Sequence, residues 1–344
     1  MKLISIYSIS HFIVDFVCAI FILGRIPVIA NNVSEYIWAV VIYNFFAFAF
    51  QVPLGFIMDK LKIYKHVAIM GMSIIGICYL CEINNAIFMA SIVGIGNALF
   101  HLEGGVNIYS ISNRKAFLNG LFVAPGAMGI FLGTTFHNEL FFTYLPIILI
   151  IISIVSLLFV QSYNVNDALN KMKKSKIKLK NIMLIIVLIG ISIVVRSIGG
   201  SAIKYTWKTG FVLGFIYTIC VVLGKAFGGL IADKFGLSKV ATIALAVSAM
   251  CLVAGYSVPV LAYVGILLFN IPMAITLTIL VNSLKEKIAC GIGLNTMFLF
   301  IGYAICFINL TINNNIILIT SIVVAILSIY MAEKIYKKEG ILDE

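Results

Sequence analysis

The side chains that could move a proton or hold a charge are few here, and they stand inside long apolar runs. His11 and Asp15 lie four residues apart, and Asn97 and His101 repeat that spacing, with Glu103-Gly104-Gly105 immediately after. On a helix, residues four apart share one face. Arg196, Lys225 and the triplet Asn270-Ile271-Pro272 complete the set. A carboxylate one turn from an imidazole can exchange a proton near neutral pH, because histidine titrates there and burial or a neighbouring charge alters proton affinity. Arginine supplies a permanent positive charge. In a bilayer such groups cost roughly 2.5–3.5 kcal/mol each or more, so each demands a partner or a use. The bland use is a fixed interhelical pair that only packs helices. Lys225 sits two turns before Asp233, and its long stem lets it snorkel towards the interface.

The elements that must position these groups are membrane helices. The chain of 344 residues is 62% hydrophobic and 11% charged, with a mean hydropathy of +1.13. A soluble domain carries about 25% charged residues, and no water-soluble fold of this length could hide such apolar excess. Apolar runs fall at about 3–24, 35–58, 64–81, 85–108, 116–136, 140–161, 181–199, 209–232, 238–256, 258–282, 289–308 and 314–332. Each has about 18 residues or more, enough to cross ~30 Å of hydrocarbon. The fold class expected is therefore an all-α membrane protein of about twelve transmembrane helices. The net charge of +11 is topological. Nineteen of the 24 Lys and Arg residues fall in one alternating set of gaps and three in the other, which puts both termini in the cytoplasm. Nucleic acid is not an expected partner; membrane lipid is. The first apolar segment runs into Arg25-Ile26-Pro27 without a small-residue cleavage site, so it reads as the first helix and not a signal peptide. The seven cysteines, Cys78-x-x-Cys81 included, read as packed thiols, and no metal or cofactor site is expected.

A basic hydrophilic stretch at 162–180 divides the chain into an N-terminal half, 1–161, and a C-terminal half, 181–344, with a short basic tail. A repeat supports the division. Gly55-Phe56-Ile57-Met58-Asp59-Lys60 follows the second run and Gly229-Leu230-Ile231-Ala232-Asp233-Lys234 the eighth, 174 residues later, with four of six positions identical. Six helices apart means the same membrane face and orientation, so the halves are parallel six-helix repeats. The glycine admits a close neighbour. The aspartate one turn on can accept from the free N–H groups of a neighbouring helix start.

These two segments resemble the major facilitator superfamily signature G-x-x-x-D-[RK]-x-G-[RK]-[RK]. The second copy keeps its later glycine as Gly236 and a basic residue at Lys239; the first has Lys62 where that glycine is expected. The resemblance implies a major facilitator fold. It also implies a conformational switch built from Gly55, Asp59, Lys60, Gly229, Asp233, Lys234 and Gly236. In that fold spans one, four, seven and ten line the central cavity, which assigns His11, Asp15, Asn97, His101, Arg196 and Asn270 to it. Ser10-His11-Phe12-Ile13-Val14-Asp15 and Phe100-His101-Leu102-Glu103-Gly104 are similar to the fosmidomycin-resistance branch, which has H-x-x-x-D and F-H-P-E-[GA] there; Leu102 departs from the proline. Gly120, Pro125, Gly126, Gly129 and Gly133 in span five are similar to part of the drug–proton antiporter pattern.

The function expected is secondary active transport of a small organic or drug-like solute across the inner membrane, by a monomer coupled to protons, with efflux favoured. Asp15 is the expected coupling residue, His11 its partner, Arg196 its counter-charge and Glu103 the next candidate. Two other classes compete: a lipid-modifying membrane enzyme using His101 and Glu103, and a non-transporting scaffold or sensor. No G-x-x-x-x-G-K-[ST] is present, since Gly224-Lys225-Ala226 lacks the upstream glycine and the hydroxyl residue. Neither H-E-x-x-H nor G-x-S-x-G occurs.

Overall fold

The computed structural model describes residues 2–81, 83–137, 144–160, 165–166, 178–284, 287–306 and 313–338, so most of the 162–180 stretch lies outside it. Lipid offers the backbone no hydrogen bonds, so each span must satisfy its own N–H and C=O groups as a helix. Among the described residues twelve such helices appear and there is no strand. They are α1 (Lys2–Ile29), α2 (Val33–Leu61), α3 (Val67–Leu80), α4 (Ala86–Ile111), α5 (Ala116–Phe136), α6 (Leu145–Leu158), α7 (Leu179–Ser201), α8 (Gly210–Phe235), α9 (Leu237–Ala254), α10 (Pro259–Ser283), α11 (Ile288–Ile305) and α12 (Asn314–Lys338). Ten are long and apolar enough to cross a membrane. Helices α3 and α6 are shorter than their apolar runs, at 14 residues each. For α3 the cause is local: His66 takes a left-handed φ of 66° and starts the helix three residues late.

Two helices carry π-helical turns, at Phe21–Arg25 in α1 and Phe45–Ala49 in α2, each shortly before a proline. Helix α10 is broken at Ile271, between Asn270 and Pro272. Proline removes a backbone donor and clashes with the preceding turn, which accounts for the break.

Packing repeats between the halves. Helix α1 packs against α4, α5 and α6, and α7 against α10, α11 and α12. Buried apolar side chains form one cluster drawn from α1–α6 and another from α7–α12 joined by Ala116 of α5. A third, including Met58, Tyr109, Leu277 and Ile288, fills the junction. The junction itself is made by α2 on α11 and α8 on α5.

Glycines set those crossings. A Cβ on Gly55 would stand 2.5 Å from the Ala289 carbonyl oxygen, and one on Gly293 2.5 Å from that of Gln51. The mirrored positions Gly229 and Gly120 leave equally little room, against Ala116 and the Lys225 carbonyl. With lipid as apolar as leucine, close backbone approach is what holds helices together.

Candidate transport site

At the face where both termini lie, the two repeated aspartates do the same work on opposite halves. Helices α11 and α5 have no side-chain cap of their own. The Asp59 carboxylate accepts from the Ala289 and Cys290 N–H groups at 3.1 and 2.8 Å, at the start of α11. Asp233 accepts from Ala116 and Phe117 at 2.8 and 2.9 Å, at the start of α5. Each carboxylate thus satisfies orphan donors at the positive end of a helix from the other half. The Tyr64 hydroxyl also donates to Asp59, at 2.9 Å. Lys62 takes the place of the missing glycine with a left-handed φ of 53°, while Gly236 has φ 99°. The first turn therefore keeps a left-handed residue despite its lysine. Lys60 and Lys234 are exposed beyond the helix contact, Lys234 lying 5.2 Å from the Phe235 ring centre. Further bonds close this face: Tyr109 donates to Asn282, whose amide donates to the Arg114 carbonyl at 3.2 Å.

Deeper in the bundle, His11 and Asp15 of α1 meet His101 of α4. His11 Nε2 lies 3.2 Å from Asp15 Oδ2 and 2.9 Å from His101 Nε2, which is 3.5 Å from Asp15 Oδ1. Asn97 sets the geometry from one turn away. Its carbonyl lies 2.9 Å from His101 Nδ1, and its amide reaches Asp15 Oδ1 at 3.5 Å. A carbonyl only accepts, so His101 Nδ1 is the donor, which turns its Nε2 to His11 as a lone pair in the neutral ring. The proton between the two rings is then on His11 Nε2. All three side chains are at least 86% covered. Gly126 of α5 makes the space: a Cβ there would sit 2.5 Å from His11 Nε2 and collide with Asp15 Oδ2. The three side chains also present ligand atoms within 4.8 Å of one another, close enough for one metal ion, an arrangement that sequence reading did not anticipate.

Arg196, expected as the counter-charge of Asp15, makes no ion pair with it; the Asp15 carboxylate faces His11 and His101 instead. The cation of the other half within electrostatic reach of Asp15 is Lys225. The reason is the stacking order: α8 lies on α5 at Gly120, and α5 lies on α1 at Gly126 and Gly129. Lys225 does not snorkel outward. It lines a cavity of about 230 Å³ with Arg196, Asn270, Thr276 and Asn295. Asn295 also lines a smaller cavity of about 50 Å³ between the halves, whose opposite wall includes His101. The charged groups of the two halves thus border adjoining spaces.

Glu103 belongs to neither space. It accepts from Tyr7 Oη at 2.7 Å and from the Ala68 N–H at 2.7 Å, at the start of α3. Glu333 does the same for α9, accepting from Ser238 at 3.2 Å. Four carboxylates, Asp59, Glu103, Asp233 and Glu333, therefore cap four helix starts that lack caps of their own. His101 and Glu103, the acid–base pair considered for an enzyme, engage different partners.

The sequence model of the Major Facilitator Superfamily matches residues 5–307. The chain belongs to this superfamily. It is an integral membrane transporter for small molecules, and not an enzyme. Solved structures agree on the fold. An E. coli fucose:proton symporter, in a point-substituted form, superposes with a TM-score of 0.68 at 11% identity, covering 96% of this chain and 98% of its own. The superfamily transporter FucP in the outward conformation gives 0.64 at 10% identity, covering 95% and 99%. No curated protein matches the sequence.

Proposed function

We propose that this superfamily member is a proton-coupled secondary carrier of a small organic solute, with Asp15, His11 and His101 as its coupling group. The observation that carries the reading is the three-residue cluster, in which three proton-binding atoms face one another within 3.5 Å, almost covered, beside a space between the halves. A proton added there changes the balance between Asp15 and Lys225, which stands in the other half. If their separation differs between conformations, proton affinity differs too, and that difference is what coupling requires. Halves 1–161 and 181–344 would rock about the α2–α11 and α5–α8 contacts. Asp59 and Asp233 would latch the face carrying the termini, which the charge distribution assigns to the cytoplasm of an inner-membrane protein. The glycine- and proline-rich α5 supports export of solute in exchange for protons.

A ligand-stabilisation screen of the purified protein supplies the solute, and proteoliposomes then test coupling. Asp15→Asn is expected to abolish accumulation against a gradient while retaining downhill exchange. Accumulation that survives this substitution with its pH dependence intact would remove Asp15 from the mechanism. Loss of all flux in wild type would favour the scaffold reading.

A further inference from the structure

The cavity in the C-terminal half carries a charge imbalance that its own residues do not correct. Arg196 is 9% exposed and its Nε is buried without a hydrogen-bond partner. Lys225 shares the cavity, and among the described residues no carboxylate lines it. Among the described residues neither cation makes an ion pair: Asp15 lies against two histidines, and Glu333 pairs with Lys337. Two like charges lining one low-dielectric space repel each other, and each carries a desolvation penalty. The Phe269 ring, 5.9 Å from the Arg196 Cζ, offers only a weak contact. The wall is otherwise divided. Ile193, Phe269 and Met273 are apolar, while Asn270, Thr276 and Asn295 can hydrogen-bond.

We propose that this cavity is the solute subsite and that it takes a small organic anion. A carboxylate or phosphonate group would lie between Arg196 and Lys225, and a compact apolar body would lie against Ile193, Phe269 and Met273. This rests on the reading of the protein as a carrier of a small organic solute and narrows the solute's class. Guanidinium and ammonium suit it differently: arginine grips two oxygens of a planar or tetrahedral oxyanion at once, and lysine supplies a point charge. The anion neutralises the pair, which a neutral sugar or an organic cation cannot do.

The test uses phenyl-bearing probes that differ in charge, on the full-length protein in detergent at pH 7.5. Benzoate and phenylphosphonate are expected to raise the Tm by several degrees; benzamide and benzamidine are expected to leave it unchanged. Lys225→Gln and Arg196→Gln should each weaken benzoate binding at least ~10-fold, the loss of one charged hydrogen bond, and Arg196→Lys should retain part of it. Added phosphatidylglycerol separates a lipid headgroup from a soluble ligand. The proposal is overturned if benzamide or benzamidine stabilises as well as benzoate, or if no anion does. It is also overturned if the shift persists in both Gln variants, or if only the lipid produces it. Tm shifts read binding alone and accumulation in proteoliposomes reads coupling, so this proposal and proton coupling can fail separately.

Discussion

Removing the two latching charges, by Asp59→Asn with Asp233→Asn, should open the face that carries the termini. Each carboxylate holds two N–H groups of a helix from the other half, at 2.8–3.1 Å. Hydrogen bonds to a charged group are worth about 1.5–3 kcal/mol when buried. Asp59 is half-buried and Asp233 is exposed, so solvent screening reduces that value, the more so at Asp233. An asparagine keeps one accepting oxygen but loses the charge that the helix terminus favours. About 1–1.5 kcal/mol for Asp59 and about 0.5–1 kcal/mol for Asp233 follows, and two sites with no shared hydrogen-bond partner add. The total is about 2 kcal/mol, or a ~30-fold shift in a two-state equilibrium. The assay is thiol labelling of Val123→Cys, which lines the space between the halves, with the seven native cysteines replaced. Where opening is fast relative to labelling, the rate follows the open population. The double variant should label ~30-fold faster from the termini face, with folding and insertion unchanged. Equal rates in variant and parent would mean that these aspartates are ordinary surface charges, and the latch would be abandoned.

Two other outcomes are expected. Gly126→Ala should cost about 1–3 kcal/mol of stability by overpacking and reduce proton-coupled transport at least ~10-fold, because its Cβ would displace His11 and Asp15. Gly76→Ala, whose Cβ would meet only Ile150 Cγ2 at 3.3 Å, should do neither, and equal behaviour of the two variants would refute the cradle. In whole cells, Ser34→Cys should label from outside and Lys176→Cys only from the cytoplasm; the reverse would overturn the orientation and, with it, the cytoplasmic latch.

The sequence by itself determined what depends on one helix at a time. Apolar length counts the spans because lipid leaves the backbone no alternative, and the Gly-x-x-x-Asp-Lys repeat placed Asp59 and Asp233 at equivalent helix ends. The four-residue spacing put His11 beside Asp15, and His101 beside Asn97, because that spacing fixes a shared face. Only the tertiary structure decided which faces meet. It joined His101 to the first pair across α1 and α4, put Lys225 with Arg196 around one cavity, and set Glu103, the next coupling candidate, to cap α3. The physical reason is that helix neighbours in a membrane are chosen by where backbones can approach most closely. That is written in matched small residues on two helices, such as Gly71 of α3 against Gly96 of α4, and no spacing within either helix contains the match.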